Sequence, residues 1–361
     1  NHHDFIAFYT ASKLATNQSI GSLYDADLAT AFQRTIIPNP IGATGYMPYL
    51  NPPFLAVLLS PLSLMGINSA RIVWLIIAVV MALATFWILS EGFKRKQRYI
   101  VALLMFLTFP VYQTLIEGQV TILVLFFLTL AWKLLKDSNR HYAGACLTAL
   151  WVFPQYAFMV LIVAIYKKQW TILKGWLVAS LGLFLITLPV VGLKANFTYI
   201  KQLKNVTGNH FIDLSTSRVL TWRGNLDGRL GLNGFITSLF RIQSTVLNNA
   251  IYLVLAAAFV AYLFFVSRNT KLNNKLGGAY LYCAAVLTAM LISPHVFGQG
   301  IVFIFLLLPV LVGIHSKYKW QIITGLLVLA QLSYLDQYSR FHFYTFFASI
   351  LTILLLYKSK K

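Results

Sequence analysis

Apolar runs recur along the whole chain, at residues 53–65, 72–89, 100–112, 120–135, 143–166, 175–191, 250–266, 276–292, 301–314, 322–332 and 343–357. Runs this long and this numerous, with one sizeable polar insertion at 194–248, predict membrane helices within one domain spanning 1–361. Several fall short of the roughly 20 residues that a perpendicular membrane helix needs. Tilted, bent or re-entrant segments are therefore expected, because open backbone at membrane depth is tolerated only inside protein or beside a wet cavity. The fold class predicted is all-α: a polytopic transmembrane helical bundle with external loops and re-entrant or bent segments.

Basic clusters alternate with these runs. They comprise Lys94, Arg95, Lys96 and Arg98; Lys133, Lys136 and Arg140; Lys167, Lys168 and Lys174; Arg268, Lys271 and Lys275; Lys317 and Lys319; and Lys358, Lys360 and Lys361. The intervening turns 114–118 and 294–300 contain no Lys or Arg. By the positive-inside bias the clusters are cytoplasmic and the turns external. Run 143–166 starts and ends at basic clusters, so it enters and returns, with its tip at Phe153-Pro154-Gln155; run 53–65 is read the same way. One face then gathers residues 1–51, Glu117-Gly118-Gln119, the large loop 194–248, residues 293–300 and residues 336–342. A polar insertion as long as 194–248 is usually functional. The spacing of Phe5, Phe8, Tyr9, Leu14, Leu23, Leu28 and Phe32 is loosely helical and suits an element lying along the interface. The chain starts at Asn1 with external sequence, so an upstream transmembrane helix is expected to be missing.

Composition narrows the class. Of 361 residues, 58% are hydrophobic and 11% charged, against about a quarter charged in soluble domains. The 15% aromatic content excludes disorder. A net charge of +20 would suit nucleic acid, but its distribution in short clusters between apolar runs is that of membrane topology, so no nucleic-acid partner is expected. The two cysteines, Cys146 and Cys283, lie inside apolar runs without metal-ligand spacing, and no His or acid spacing suggests a metal site.

With nine acids in the chain, those at a membrane boundary are functional candidates, and Asp4 and Glu117 stand closest to embedded segments. Their structural alternatives are a helix cap for Asp4 and an arginine partner for Glu117. Among the basic residues of the outer face, Arg223 in Thr221-Trp222-Arg223-Gly224-Asn225 is the candidate for bidentate phosphate contact, its alternative being a solvated loop. His295 in Ser293-Pro294-His295 follows an apolar helix and could donate to a phosphate or relay a proton; a helix-end cap is the alternative.

The order of these pieces resembles a known family. Asp4-Phe5, Phe8-Tyr9 and Leu23-Tyr24 come first, then Tyr46-Met47-Pro48-Tyr49, Pro52-Pro53-Phe54 and Pro61-Leu62. Gly118-Gln119, Ala143-Gly144, Pro154-Gln155, Arg223-Gly224 and Ser293-Pro294-His295 follow. The chain is similar to glycosyltransferase family 87, integral-membrane enzymes of the GT-C class. The resemblance implies transfer of a hexose, mannose by analogy, from a polyprenyl-phosphate sugar to a lipid or glycan acceptor. It implies a bacterial plasma-membrane protein working at the extracytoplasmic face, with inversion and without a cofactor. It further implies that Asp4 is the general base, that Arg223 and His295 bind the donor phosphate, and that Glu117, Gln119, Gln155, Tyr9 and Tyr46 line the substrate pocket. The sequence departs from the family at Phe153, where a lysine is common, at Gly298 and Gly300, where an acid is common, and at Asn233-Gly234-Phe235 in place of Asn-Gln-Ser. A lipid-linked-sugar flippase and a non-catalytic membrane scaffold are the alternative readings; the sequence has none of the internal repeats that transporters tend to show.

Overall fold

A computed structural model of the chain describes residues 4–17, 22–37, 47–206, 210–213, 218–221, 231–232, 235–236, 245–269, 275–293, 298–314 and 316–338. Its helices are α1 (Phe5–Asn17), α2 (Ala26–Ile36), α3 (Pro53–Leu58), α4 (Ile67–Leu89), α5 (Arg95–Phe106), α6 (Phe109–Glu117) and α7 (Thr121–Lys136). They continue as α8 (Arg140–Leu147), α9 (Pro154–Tyr166), α10 (Trp170–Val206), α11 (Thr245–Asn269), α12 (Lys275–Ile292), α13 (Leu307–Ile314) and α14 (Lys319–Tyr338). The fold is the expected all-α polytopic bundle. Its only strands among the described residues, β1 (His210–Asp213) and β2 (Arg218–Thr221), form an antiparallel hairpin with His210 opposite Thr221.

Three helical stretches are long and apolar enough to cross a membrane: Ile67–Leu89, Trp170–Lys201 and Leu247–Arg268. Helices α5 and α6 bend by 59° at their junction and supply a fourth span if taken together. Sequence patterning places these segments but not all of their breaks. The apolar run 100–112 is cut at Leu107–Thr108, and the run 301–314 starts as a 3-10 helix, Gly298–Leu306. Run 143–166 breaks at Phe153 (φ −126°, ψ 77°), at the expected tip, with Pro154 opening α9. The loop expected over 194–248 is shorter than its polarity suggests. Helix α10 continues beyond Pro189 through a glycine at left-handed φ (Gly192, φ 73°) as far as Val206, and α11 already starts at Thr245.

The chain divides into two compact units. The first comprises Asn1–Val79, Leu115–Gln119 and Ala179–Gly224. Its centre is α1, which is not the interfacial helix expected from the spacing. Phe5, Ile6, Phe8, Tyr9, Thr10, Ala11, Ser12 and Leu14 are all buried, so apolar side chains on every face are enclosed by α2, α3 and the 3-10 segment Ser60–Leu64. A helix apolar all round belongs in a core, not on a surface. Three tyrosine hydroxyls pin the backbone between Asn51 and Met65. Tyr9 donates to the Met65 carbonyl (2.8 Å), Tyr24 to that of Asn51 (2.6 Å) and Tyr49 to that of Pro52 (2.8 Å). Burial holds the Tyr24 and Tyr49 hydroxyls well above the usual tyrosine range, so both stay donors.

The second unit comprises Val80–Thr114, Val120–Val178 and Asn225–Lys361. Its described core runs through α12, buried from Tyr280 to Leu291, and the 3-10 segment Gly298–Leu306. Phe303 is met edge-on by Phe153 and Tyr156, and Phe305 by Phe86. The Ala143-Gly144 motif is a packing device: a Cβ on Gly144 would overlap the Ile172 carbonyl, and one on Gly175 the His141 carbonyl. Two backbones touch there because neither residue carries a side chain.

Glu91, just beyond α4, receives the ammonium groups of Lys133 (3.1 Å) and Lys136. Burial alone would raise its carboxyl; bonds and charge from Lys136 and Lys133 outweigh that and hold it below its ordinary value of 4.5. A folded-state pKa that is depressed contributes stability above the unfolded pKa, and the contribution is lost as pH falls through the folded value. Wild-type protein is therefore expected to lose thermal stability on acidification below pH 4.5. Glu91→Gln should lower the unfolding temperature at pH 7 and flatten that acid limb, as read by thermal unfolding at several pH values in detergent.

Candidate active site

The first unit brings two sequence candidates into direct contact. Asp4 occupies the position before the first residue of α1, and its Oδ2 accepts a hydrogen bond from Gln119 Nε2, 115 positions further along the chain. The link is built by the short segment 115–119, which belongs to this unit although the chain on either side of it does not.

Three contacts position that segment. Gly118 lies at φ +69°, a left-handed conformation that costs a residue with a Cβ about 1–2 kcal/mol. Its missing side chain also matters, because a Cβ there would sit 2.7 Å from Phe5 Cβ. The segment can thus pack directly against the start of α1. From α4, the Trp74 indole N–H donates to the Gly118 carbonyl (3.0 Å, buried) and Arg71 donates to the Ile116 carbonyl (3.0 Å). The turn is clamped between α4 and the first residues of α1, and Gln119 leaves it aimed at Asp4. A carboxylate held by an amide N–H can accept a proton from a bound hydroxyl, as a general base must.

The other candidates divide. Glu117 ends α6, half-buried, one residue before the clamped glycine. Tyr9 lies one turn beyond Phe5 on α1, with its ring stacked on Phe32 (6.2 Å) and its hydroxyl given to Met65, a packing role. Gln155, in the second unit, is half-buried in the first turn of α9 behind Pro154. Tyr46, Arg223 and His295 lie outside the described residues. The second unit shows close backbone packing at Gly231. A Cβ on Gly231 would overlap the carbonyl of Ser293, two residues before His295, and Leu232 and Ile236 are buried beside it in the sequence. Among the described residues no group of three or more His, Cys, Asp or Glu side chains could hold a metal ion.

Sequence reasoning missed Trp74, Arg71 and Phe5 as parts of this site. A signal for two of them was present. An indole N–H and a guanidinium at the start of an otherwise apolar helix both need acceptors, and the turn carbonyls supply them.

The sequence profile of glycosyltransferase family 87 matches residues 49–294, about two thirds of the chain. The chain belongs to glycosyltransferase family 87. It is accordingly a membrane glycosyltransferase that uses a sugar donor and an acceptor. No curated protein and no solved structure matches it. Of the family-87 site residues expected above, Glu117, Gln119, Gln155 and Arg223 lie within the matched stretch, whereas Asp4, Tyr9, Tyr46 and His295 lie outside it. Asp4 lies outside the match, and the residue it bonds, Gln119, lies inside it.

Gly118→Ala is expected to destabilise the first unit by about 1–3 kcal/mol, through left-handed strain and collision with Phe5. Trp74→Phe should cost a similar amount by leaving a buried carbonyl without its donor. Thermal unfolding of the purified variants measures both.

Proposed function

We propose that this glycosyltransferase moves a hexose, mannose by analogy, from a polyprenyl-phosphate donor to a lipid or glycan acceptor at the extracytoplasmic face of a bacterial plasma membrane. The observation that carries the proposal is the bond between Asp4 and Gln119 at a turn clamped by Trp74 and Arg71. A lone carboxylate serves a reaction whose leaving group is already a phosphate and needs no protonation.

In the proposed step, Asp4 takes the proton of the acceptor hydroxyl. The freed oxygen attacks the anomeric carbon, a new C–O bond forms, and the bond from that carbon to the phosphate oxygen breaks. The electron pair leaves with the polyprenyl phosphate. Attack from the face opposite the leaving group inverts the anomeric configuration. Arg223 and His295 take the role implied by the resemblance, stabilising the negative charge that builds on the departing phosphate. Gln119 orients the base, and Glu117 and Gln155 bind sugar hydroxyls. The apolar spans provide a surface along which the donor's hydrocarbon chain lies in the bilayer.

Asp4→Asn is expected to abolish transfer from labelled polyprenyl-phosphate mannose while leaving donor binding within about threefold of wild type, since only proton transfer is lost. Full turnover in this variant removes Asp4 from its role. Arg223→Ala and His295→Ala are each expected to weaken donor binding by about tenfold or more, the loss of one charge-assisted phosphate contact. Donor titration of the two variants measures this, and unchanged affinity reassigns both residues.

A further inference from the structure

Three turns of the second unit converge on one basic surface. The turn from α4 into α5 carries Lys94, Arg95 and Lys96, all exposed, and the 3-10 turn Ser316–Tyr318 carries the exposed Lys317. Contacts join the two turns: the Lys319 ammonium lies 5.4 Å from the centre of the Phe93 ring, which meets Trp320 edge-on at 5.4 Å. Gly92 approaches Val312 so closely that a Cβ would lie 2.6 Å from its Cγ1. The end of α7 enters through Glu91, which binds Lys133 and Lys136.

Charge at this surface is one-sided. Its acids are Glu91, committed to Lys133 and Lys136, and Asp137, 3.8 Å from Lys133. Among the described residues no acid lies within ion-pair distance of Lys94, Arg95, Lys96 or Lys317. Like charges held together by packing repel one another and attract an external anion.

The surroundings indicate which anion. Trp87 and Trp320 mark the level of this surface, with the Arg98 guanidinium 4.0 Å above the Trp87 ring, and Tyr99, Tyr318 and Trp320 are exposed. Tryptophan and tyrosine concentrate where acyl chains give way to headgroups. The membrane-length helix α4 runs directly into this surface, with apolar side chains such as Leu83 exposed along it. The unneutralised cations therefore stand at headgroup depth beside a lipid-facing helix. We propose that Lys94, Arg95, Lys96 and Lys317 form a binding site for the phosphodiester of an anionic phospholipid. The site is independent of the glycosyl-transfer chemistry, so either assignment can fail alone.

Native mass spectrometry of the purified protein, offered phosphatidylglycerol and phosphatidylcholine of matched chain length, tests this. Wild-type protein should retain phosphatidylglycerol in preference to phosphatidylcholine. The combined variant Lys94→Gln, Arg95→Gln, Lys96→Gln and Lys317→Gln should lose at least about tenfold of that retention, as expected for removing four cations near a headgroup. A control variant, Lys167→Gln, Lys168→Gln and Lys174→Gln, should keep it. Equal loss in the control, or no loss in the first variant, overturns the site. A wild-type measurement covers failure of the variant to fold: tryptophan fluorescence should respond saturably to short-chain phosphatidylglycerol and not to phosphatidylcholine. The same response to both lipids overturns the proposal.

Discussion

A chain this apolar must satisfy its own backbone wherever a helix stops, because apolar surroundings offer no water to do so. Several of the described breaks are met by side chains, some local and some remote, whereas the break at Phe153 is closed by its own backbone N–H on the Leu150 carbonyl. At the bend between α5 and α6, Thr108 returns its hydroxyl to the Met105 carbonyl, and Gln331 of α14 accepts the Phe109 N–H at 3.1 Å. Where α10 breaks at Gly192, the Asn196 amide donates to the freed carbonyl at 2.9 Å. Tyr252 closes the end of α12 at Ile292, and Tyr9, Tyr24 and Tyr49 close the ends around α1. At these breaks a hydroxyl or an amide takes up a backbone group that the apolar surroundings cannot satisfy.

The turn after α6 obeys the same rule. Its carbonyls at Ile116 and Gly118 go to Arg71 and Trp74, which frees the glycine to adopt a conformation other residues avoid and sends Gln119 towards Asp4. The backbone requirement and the placement of the carboxylate are thus met by the same few contacts.

Much of this was legible in the sequence, though unevenly. The apolar runs located α4, α7, α11, α12 and α14 because long hydrophobic segments have few other uses. Breaks inside runs 100–112 and 301–314 were hidden, since composition stays apolar across a bend and the capping residue, as with Gln331, is remote. Helix α1 was misplaced at an interface because its spacing was counted without asking what covered the remaining faces. The continuation of α10 to Val206 was missed because Lys194, Lys201 and Lys204 read as loop, although charged residues are good helix formers. Asp4 was named as an acid at a membrane boundary, and again with Gln119 from the order of motifs. Their contact could not be read from spacing, because it depends on the hand of one glycine and on an indole 44 positions away.

The separation between Asp4 and Gln119 sets an order of events during biosynthesis. Helix α1 is made before segment 115–119, so its carboxylate waits for a partner 115 residues downstream, which at about 5–20 residues per second is on the order of ten seconds. Tyr24 waits longer for the ring of Tyr199. Through that interval the helix can already be enclosed, because α2, α3 and Ser60–Leu64 follow it closely in the chain, so its apolar packing precedes the polar contact at its carboxylate.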